Sequence, residues 1–132
     1  MTPEELARPG TEHAHQVALF CWMSRHLEAF PELKWVYAIP NGGERNAAVA
    51  GRLRAEGVKS GVSDICLPFS RQGYHGFYIE MKKPGGKESN NQKEFGAFVT
   101  EQGYLYKCCT NWEEARDAIR WYVGIGSWAE PV

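Results

Sequence analysis

Two apolar runs of strand length stand close together in the middle of this chain. The first is Gly61-Val62-Ser63-Asp64-Ile65-Cys66-Leu67 and the second is Gly76-Phe77-Tyr78-Ile79-Glu80-Met81-Lys82-Lys83. Between them lies Ser70-Arg71-Gln72-Gly73, a cluster of turn-favouring residues, so the pair predicts a β-hairpin. Side chains alternate between the faces of a strand. Phe77, Ile79 and Met81 therefore share one face, and Glu80 and Lys82 share the other. Asp64 opens the first strand, where it can stand beside Glu80. Two carboxylates and an amine on one sheet face make a poor core and a good site for a hard cation, which prefers carboxylate, carbonyl and water oxygens.

The 132 residues suffice for one domain with a single core, and 43% hydrophobic with 23% charged residues is ordinary for a globular protein. No apolar run reaches the roughly 18 residues needed to span a bilayer. The N-terminal stretch lacks the basic and apolar parts of a signal peptide, so a cytoplasmic location is expected. Cys21, Cys66, Cys108 and Cys109 show neither Cys-x-x-Cys spacing nor paired histidines, which predicts free thiols acting as small hydrophobes. His13 and His15 read equally well as a solvated helix end. The net charge of −1 excludes a globally basic nucleic-acid binder. Its distribution is uneven, however. Between Pro40 and Lys93 nine basic residues face five acids, so the middle of the chain is locally electropositive, as suits a phosphate-facing surface.

The pattern along the chain predicts a loose tail over residues 1–10. An amphipathic helix follows from Thr11 to Ala29, with Val17, Phe20, Cys21, Met23, Leu27 and Phe30 on its apolar side and Pro31 as its end. Lys34 to Ile39 reads as a short strand, Pro40-Asn41-Gly42-Gly43 as a turn, and Arg45 to Glu56 as a short helix. After the hairpin, Ser89 with Gln92 forms a capping-box pattern opening a helix with Phe95, Phe98 and Val99 inward, closed by Gly103. Tyr104 to Cys108 is a strand. Thr110 and Asn111 start a last helix with Trp112, Ala115, Ile119 and Tyr122 along one stripe. Residues 125–132 form a tail, with Trp128 able to pack back. These elements predict an α/β fold, a mixed sheet with helices on its faces.

The order of helix, three strands, helix and strand, with Asp and then Glu-x-Lys on the second and third strands, resembles the PD-(D/E)xK nuclease superfamily. Within it, the chain is similar to the VRR-NUC (virus-type replication-repair nuclease) group. The resemblance runs from Thr11 to Ala118 on five anchors: Glu12 with Gln16, Pro40-Asn41-Gly42-Gly43, Gly61-Val62-Ser63-Asp64, Ile79-Glu80-Met81-Lys82 and Gln92-Lys93-Glu94-Phe95. Ser63 departs from the proline of the superfamily name. The resemblance implies an αβββαβ core over residues 11–124 and a divalent-metal-dependent DNA endonuclease using Mg2+ or Mn2+. It implies Asp64, Glu80 and the Met81 carbonyl as metal ligands, with Glu12 completing the set directly or through water. Lys82 would hold the attacking water or neutralise charge at phosphorus, and Gln92 would orient Lys82 or the scissile phosphate.

Stand-alone members of the group resemble phage or bacterial proteins that cut branched DNA. The implied substrate is a four-way (Holliday) junction, in repair or replication, inside a bacterium or phage-infected cell. Symmetric cutting of a junction by a domain with one active site requires a homodimer. Asn41, Arg45, Arg52, Lys59, Lys83, Lys87 and Lys93 are the candidate DNA contacts, and Tyr74 the candidate exposed aromatic. Plainer readings stand beside these. Glu12 can offset a helix dipole, Gln92 can serve only the capping box, and Glu80 with Lys82 can be a solvated surface pair. The competing functions are a flap or duplex nuclease, a nucleic-acid-binding module without turnover, and a hydrolase of small phosphoesters. The last lacks a Gly-x-x-x-x-Gly-Lys phosphate loop.

Overall fold

The computed structural model describes residues 1–40 and 46–124. The expected glycine turn at 41–43, the candidate DNA contacts Asn41 and Arg45, and the tail at 125–132 with Trp128 lie outside the described residues. In chain order the elements are α1 (Pro3–Leu6), α2 (Glu12–Ser24), a 3-10 turn (Pro31–Trp35), β1 (Tyr37–Ala38), α3 (Ala47–Ala55), β2 (Ile65–Leu67), β3 (Phe77–Met81), α4 (Asn90–Glu101), β4 (Leu105–Cys109) and α5 (Trp112–Val123). The four strands form one mixed sheet in the order β1-β2-β3-β4. The first two pairings are antiparallel and the β3–β4 pairing is parallel. A parallel neighbour requires a crossover connection, and α4 supplies it.

The hairpin forms as the sequence predicts, with Ile65 opposite Ile79 and Leu67 opposite Phe77. Its tight turn spans Arg71 to Tyr74, whose amide donates to the Arg71 carbonyl at 2.8 Å. Gln72 and Gly73 both take positive φ, 54° and 86°, the combination that matches the twist of paired strands. Phe77, Ile79 and Met81 point with Ile65 and Leu67 into a core shared with α2 and α5. The opposite face meets α4, where the Tyr78 and Phe95 rings stand edge to face at 5.2 Å. The last helix carries its stripe as predicted: Trp112, Ala115, Ile119 and Tyr122 are all buried.

Several local expectations are corrected. Residues 1–10 are not a loose tail: Thr2 and Glu5 form a reciprocal capping box, and Pro3 is buried at the first position of α1. Leu6 and Ala7 then pack on the core. The Thr-x-x-Glu signature was present in the sequence. The helix expected to Ala29 ends at Ser24; in α2 the buried face is Ala14, His15, Ala18, Leu19, Trp22 and Met23, whereas Val17, and Leu27 beyond its end, are exposed. The buried face mixes small and large side chains, with Trp22, Leu19 and Met23 beside Ala14 and Ala18. His15 is no solvated end: its Nδ1 accepts from the Trp112 amide at 3.0 Å, satisfying one of the otherwise orphaned donors opening α5. The strand expected from Lys34 shrinks to Tyr37–Ala38, because Pro31 starts a helical turn that consumes the residues before it.

Phe98, expected inward, is 59% exposed. The inner face of α4 centres instead on Gly96 and Val99. A Cβ on Gly96 would come within 2.5 Å of the Tyr106 ring, so the ring occupies the space a side chain would fill. Tyr106 cannot easily yield, since its hydroxyl donates to Glu88. Helix propensity alone predicts that Gly96→Ala stabilises by about 0.5–1 kcal/mol. The packing predicts the reverse, a loss of about 1–3 kcal/mol. Urea unfolding of the variant measures the sign, and a stabilised protein would refute this packing.

Candidate active site

Asp64 sits where the loop 60–64 enters β2. That loop is held against the first turn of α4. Gly61 has φ +89°, and a Cβ there would meet Asn91 at 2.8 Å. The Asn91 amide also donates to the Ser60 hydroxyl at 3.0 Å. The Asp64 amide donates to the Ile79 carbonyl at 3.1 Å, and the Asp64 carbonyl accepts from the Ile39 amide at 2.7 Å. Its side-chain Oδ2 accepts from the Met81 amide at 2.7 Å. Backbone on both sides thus fixes this carboxylate at the end of β3.

Glu80 lies on β3 and is 1% exposed. Its Oε2 accepts from Gln92 Nε2 at 2.7 Å and stands 3.8 Å from Lys82 Nζ. Its Oε1 is buried with no hydrogen-bond partner. Burial, followed by the charge of Asp64 and a side-chain hydrogen bond with it, raises the Glu80 carboxyl to about 8; Lys82 opposes the shift and Glu12 adds to it. Lys82 follows the end of β3 and is mostly covered, so its ammonium is held near the pair rather than free in solvent.

Gln92 occupies two roles at once. Its Oε1 accepts from the Ser89 amide at 2.7 Å to complete the capping box, while its Nε2 holds Glu80. The sequence offered capping or orientation of Lys82 or a phosphate; the structure shows the capping box and adds a hydrogen bond from the side-chain amide to Glu80. Cys108 was missed. The parallel register sets it directly opposite Glu80, and burial followed by the charges of Glu88 and Glu80 raises its thiol to about 11. Only the pairing of β3 with β4 could have exposed that proximity.

Glu12 opens α2. Among the described residues, no group of three or more His, Cys, Asp or Glu side chains is placed to hold a metal ion. Glu12 is exposed in the first turn of α2, close enough to act on Glu80 electrostatically but not gathered with Asp64 and Glu80 into one ligand group. There its charge also offsets the helix dipole. Arg52, Lys59, Lys83, Lys87 and Lys93 are all exposed. Tyr74, expected as an exposed aromatic, is half-buried against the core.

A carboxylate pair beside a lysine, on a four-stranded mixed sheet covered by helices, defines a nuclease-type α/β domain. The VRR-NUC domain model matches residues 10–112, and the chain belongs to that family. A solved structure named "VRR_NUC domain protein" shares the fold with TM-score 0.74 and 24% identity over 88% of this chain and 90% of that one. No curated protein matches the chain. Among the described residues no helix is long and apolar enough to cross a membrane.

The raised Glu80 has a consequence for the metal-free protein. The folded state holds this proton more tightly than the unfolded chain, whose carboxyl has its ordinary value near 4.5. The contribution is fully present below that value and is lost as pH rises through about 8. Replacing Glu80 with Gln removes the ionisation. In EDTA, Glu80→Gln is therefore expected to melt above the wild type at pH about 8.5, by an amount that shrinks towards pH about 5. Equal differences at both pH values would show that Glu80 does not carry the effect.

Proposed function

We propose that this protein is a divalent-metal-dependent, structure-selective DNA endonuclease that cuts four-way junctions as a homodimer, with Mg2+ or Mn2+ as its ion. The observation that carries this reading is Glu80 Oε1, a buried carboxylate oxygen without a donor, set beside Asp64. Such an oxygen is costly to leave unpaired and suits a hard cation. Asp64, Glu80 and the Met81 carbonyl would hold the ion, with Glu12 reaching the set through water from its exposed position. When bound, such an ion supplies Lewis acidity towards a phosphoryl oxygen and acidifies a water near neutral pH.

The chain's own groups do the rest. Met81 donates its amide to Asp64 and Gln92 donates to Glu80, so neither carboxylate can swing away from the shared position. Lys82 lies within reach of the same place, where its ammonium offsets charge that develops on the phosphate. Lys83, Lys87 and Lys93, exposed near the site in sequence, and Arg52 and Lys59 on and after α3, offer positive charge to the backbone of the DNA. Asn41 and Arg45 join them as proposed contacts. The apolar stripe of α5 is consumed in the core, so it cannot also form the dimer interface.

Incubation with a synthetic junction, a flap and a linear duplex, with either metal or EDTA, tests the reading. Metal-dependent cutting that Asp64→Ala and Glu80→Ala abolish, while DNA binding survives, is the expected result. Binding without cutting would favour a module that only grips DNA. Loss of the Gln92 support should cost roughly 10–100-fold in metal affinity or activity. Removing Lys83 and Lys87 should weaken binding evenly across sequences and flatten the logarithmic salt dependence by about one unit per lost phosphate contact. An unchanged slope would place the DNA elsewhere.

A further inference from the structure

The register that brings Asp64 beside Glu80 also fixes what else shares their face of the sheet. Tyr37 on β1 lies opposite Cys66 on β2, and Cys66 lies opposite Tyr78 on β3. Residues two apart on a strand share a face, so Cys66 stands with Asp64, Tyr78 with Glu80, and Tyr37 with all four. Helix α4 covers this face over β3 and β4, where Phe95 meets Tyr78 at 5.2 Å and the Tyr106 ring fills the space beside Gly96. At β1 that cover ends, and Tyr37 is 50% exposed. One strand across and two residues along, its Cα stands roughly 8 Å from that of Asp64.

The ring is held in an inverted way. A tyrosine at the surface ordinarily keeps its apolar body against the protein and its polar tip in water. Here the hydroxyl turns inward to a side-chain hydrogen bond with the thiol of Cys66, which is itself buried. The polar end is used within the sheet, and ring surface is left to solvent. Tethered at both ends, the ring loses little freedom when something covers it. Two residues earlier, Trp35 is 63% exposed, and the Lys34 ammonium lies 5.0 Å from its ring centre. Glu32, the acid of the same turn, is already held by Arg71 at 2.9 Å.

We propose that Tyr37 is a DNA-contacting residue whose ring packs against the deoxyribose of a nucleotide flanking the phosphate to be cut, with Trp35 and Lys34 continuing the track along the sheet edge; this rests on the nuclease reading above. The position selects the occupant. Because α4 closes the β3–β4 side of the face, a strand lying across the carboxylates continues over β2 towards β1 and meets Tyr37. A deoxyribose has an apolar face and sits between two phosphates, so it suits an aromatic surface followed by a cation. Contacts to sugar and phosphate position the duplex without reading its sequence. This one needs no unpaired base and serves linear and branched DNA alike.

The experiment uses the full chain in EDTA, where nothing is cut, with a labelled linear duplex and a four-way junction. Binding is followed by anisotropy. Contact is followed by oxidation of side chains with hydroxyl radicals from photolysed peroxide, read by mass spectrometry. The expected result is protection of Tyr37 and Trp35 on adding either DNA, while Phe98, exposed on α4, is oxidised as before. Tyr37→Ala should weaken binding about fivefold or more, the loss of one aromatic anchor, and Tyr37→Phe, which keeps the ring, should bind as the wild type. Trp35→Ala, which leaves the Cys66 hydrogen bond intact, should weaken binding by a smaller factor, with the melting temperature of each variant checked alongside. Unchanged oxidation of Tyr37 in a protein that binds and cuts DNA would overturn the contact and leave the nuclease reading intact. Equal losses in Tyr37→Phe and Tyr37→Ala would overturn the ring as the contact. A fall in the mass of DNA-free Tyr37→Ala from dimer to monomer would assign this surface to a second copy of the chain and overturn the proposal. Protection by DNA in a protein that never cuts with Mg2+ or Mn2+ would keep the contact and remove the nuclease. A protein that binds neither DNA would overturn both.

Discussion

The register of β2 against β3 governs both the core and the site. Ile65 faces Ile79 and Leu67 faces Phe77, so one side of the hairpin closes the interior against α2 and α5. The same pairing, carried one residue further, brings Asp64 alongside Glu80 on the other side. Strand side chains alternate with a period of two, so a slip of one residue would drive the carboxylates into the core and the apolar residues out of it. The Asp64–Met81 and Asp64–Ile79 hydrogen bonds lock that register where β2 begins. Core and chemistry are thus two faces of one constraint.

This arrangement carries a cost. Glu80 is buried against a second acid, with one oxygen that no donor meets, and its raised titration expresses the penalty for ionising it there. The loss is a few kcal/mol in the metal-free protein. Burial of Phe77, Ile79 and Met81 on the same strand contributes roughly 1.5–3 kcal/mol each and outweighs it. An internal strand flanked by β2 and β4 is thus able to hold a misfit polar group. Helix α4 completes the device from the opposite face. Its first turn pins the loop that delivers Asp64, and its Gln92 holds Glu80.

Much of this was legible in the residues. The hairpin, the capping box at Ser89 and the buried stripe of α5 follow from patterns that depend on neighbours a few positions apart. The pairing of Asp64 with the Glu80–Lys82 motif was legible for the same reason, since alternation along adjacent strands places them together. Where the sequence misled, the deciding contact was long-range. Phe98 and Gly96 both fit an inward helical face, and only the position of the Tyr106 ring selects glycine. Val17 and Leu27 are apolar enough for the interior, but the face of α2 that is buried runs through Ala14, Ala18, Leu19, Trp22 and Met23.

The sequence by itself determined the order of elements, the family, and which two carboxylates share a sheet face, because local periodicity and turn chemistry act over short stretches of chain. Tertiary structure alone decided that Glu80 is fully buried, that His15 caps a helix begun by Trp112, and that Cys108 faces Glu80. Those outcomes depend on how far apart, and at what register, packed elements come to rest. No pattern along a single element encodes the distance between two of them.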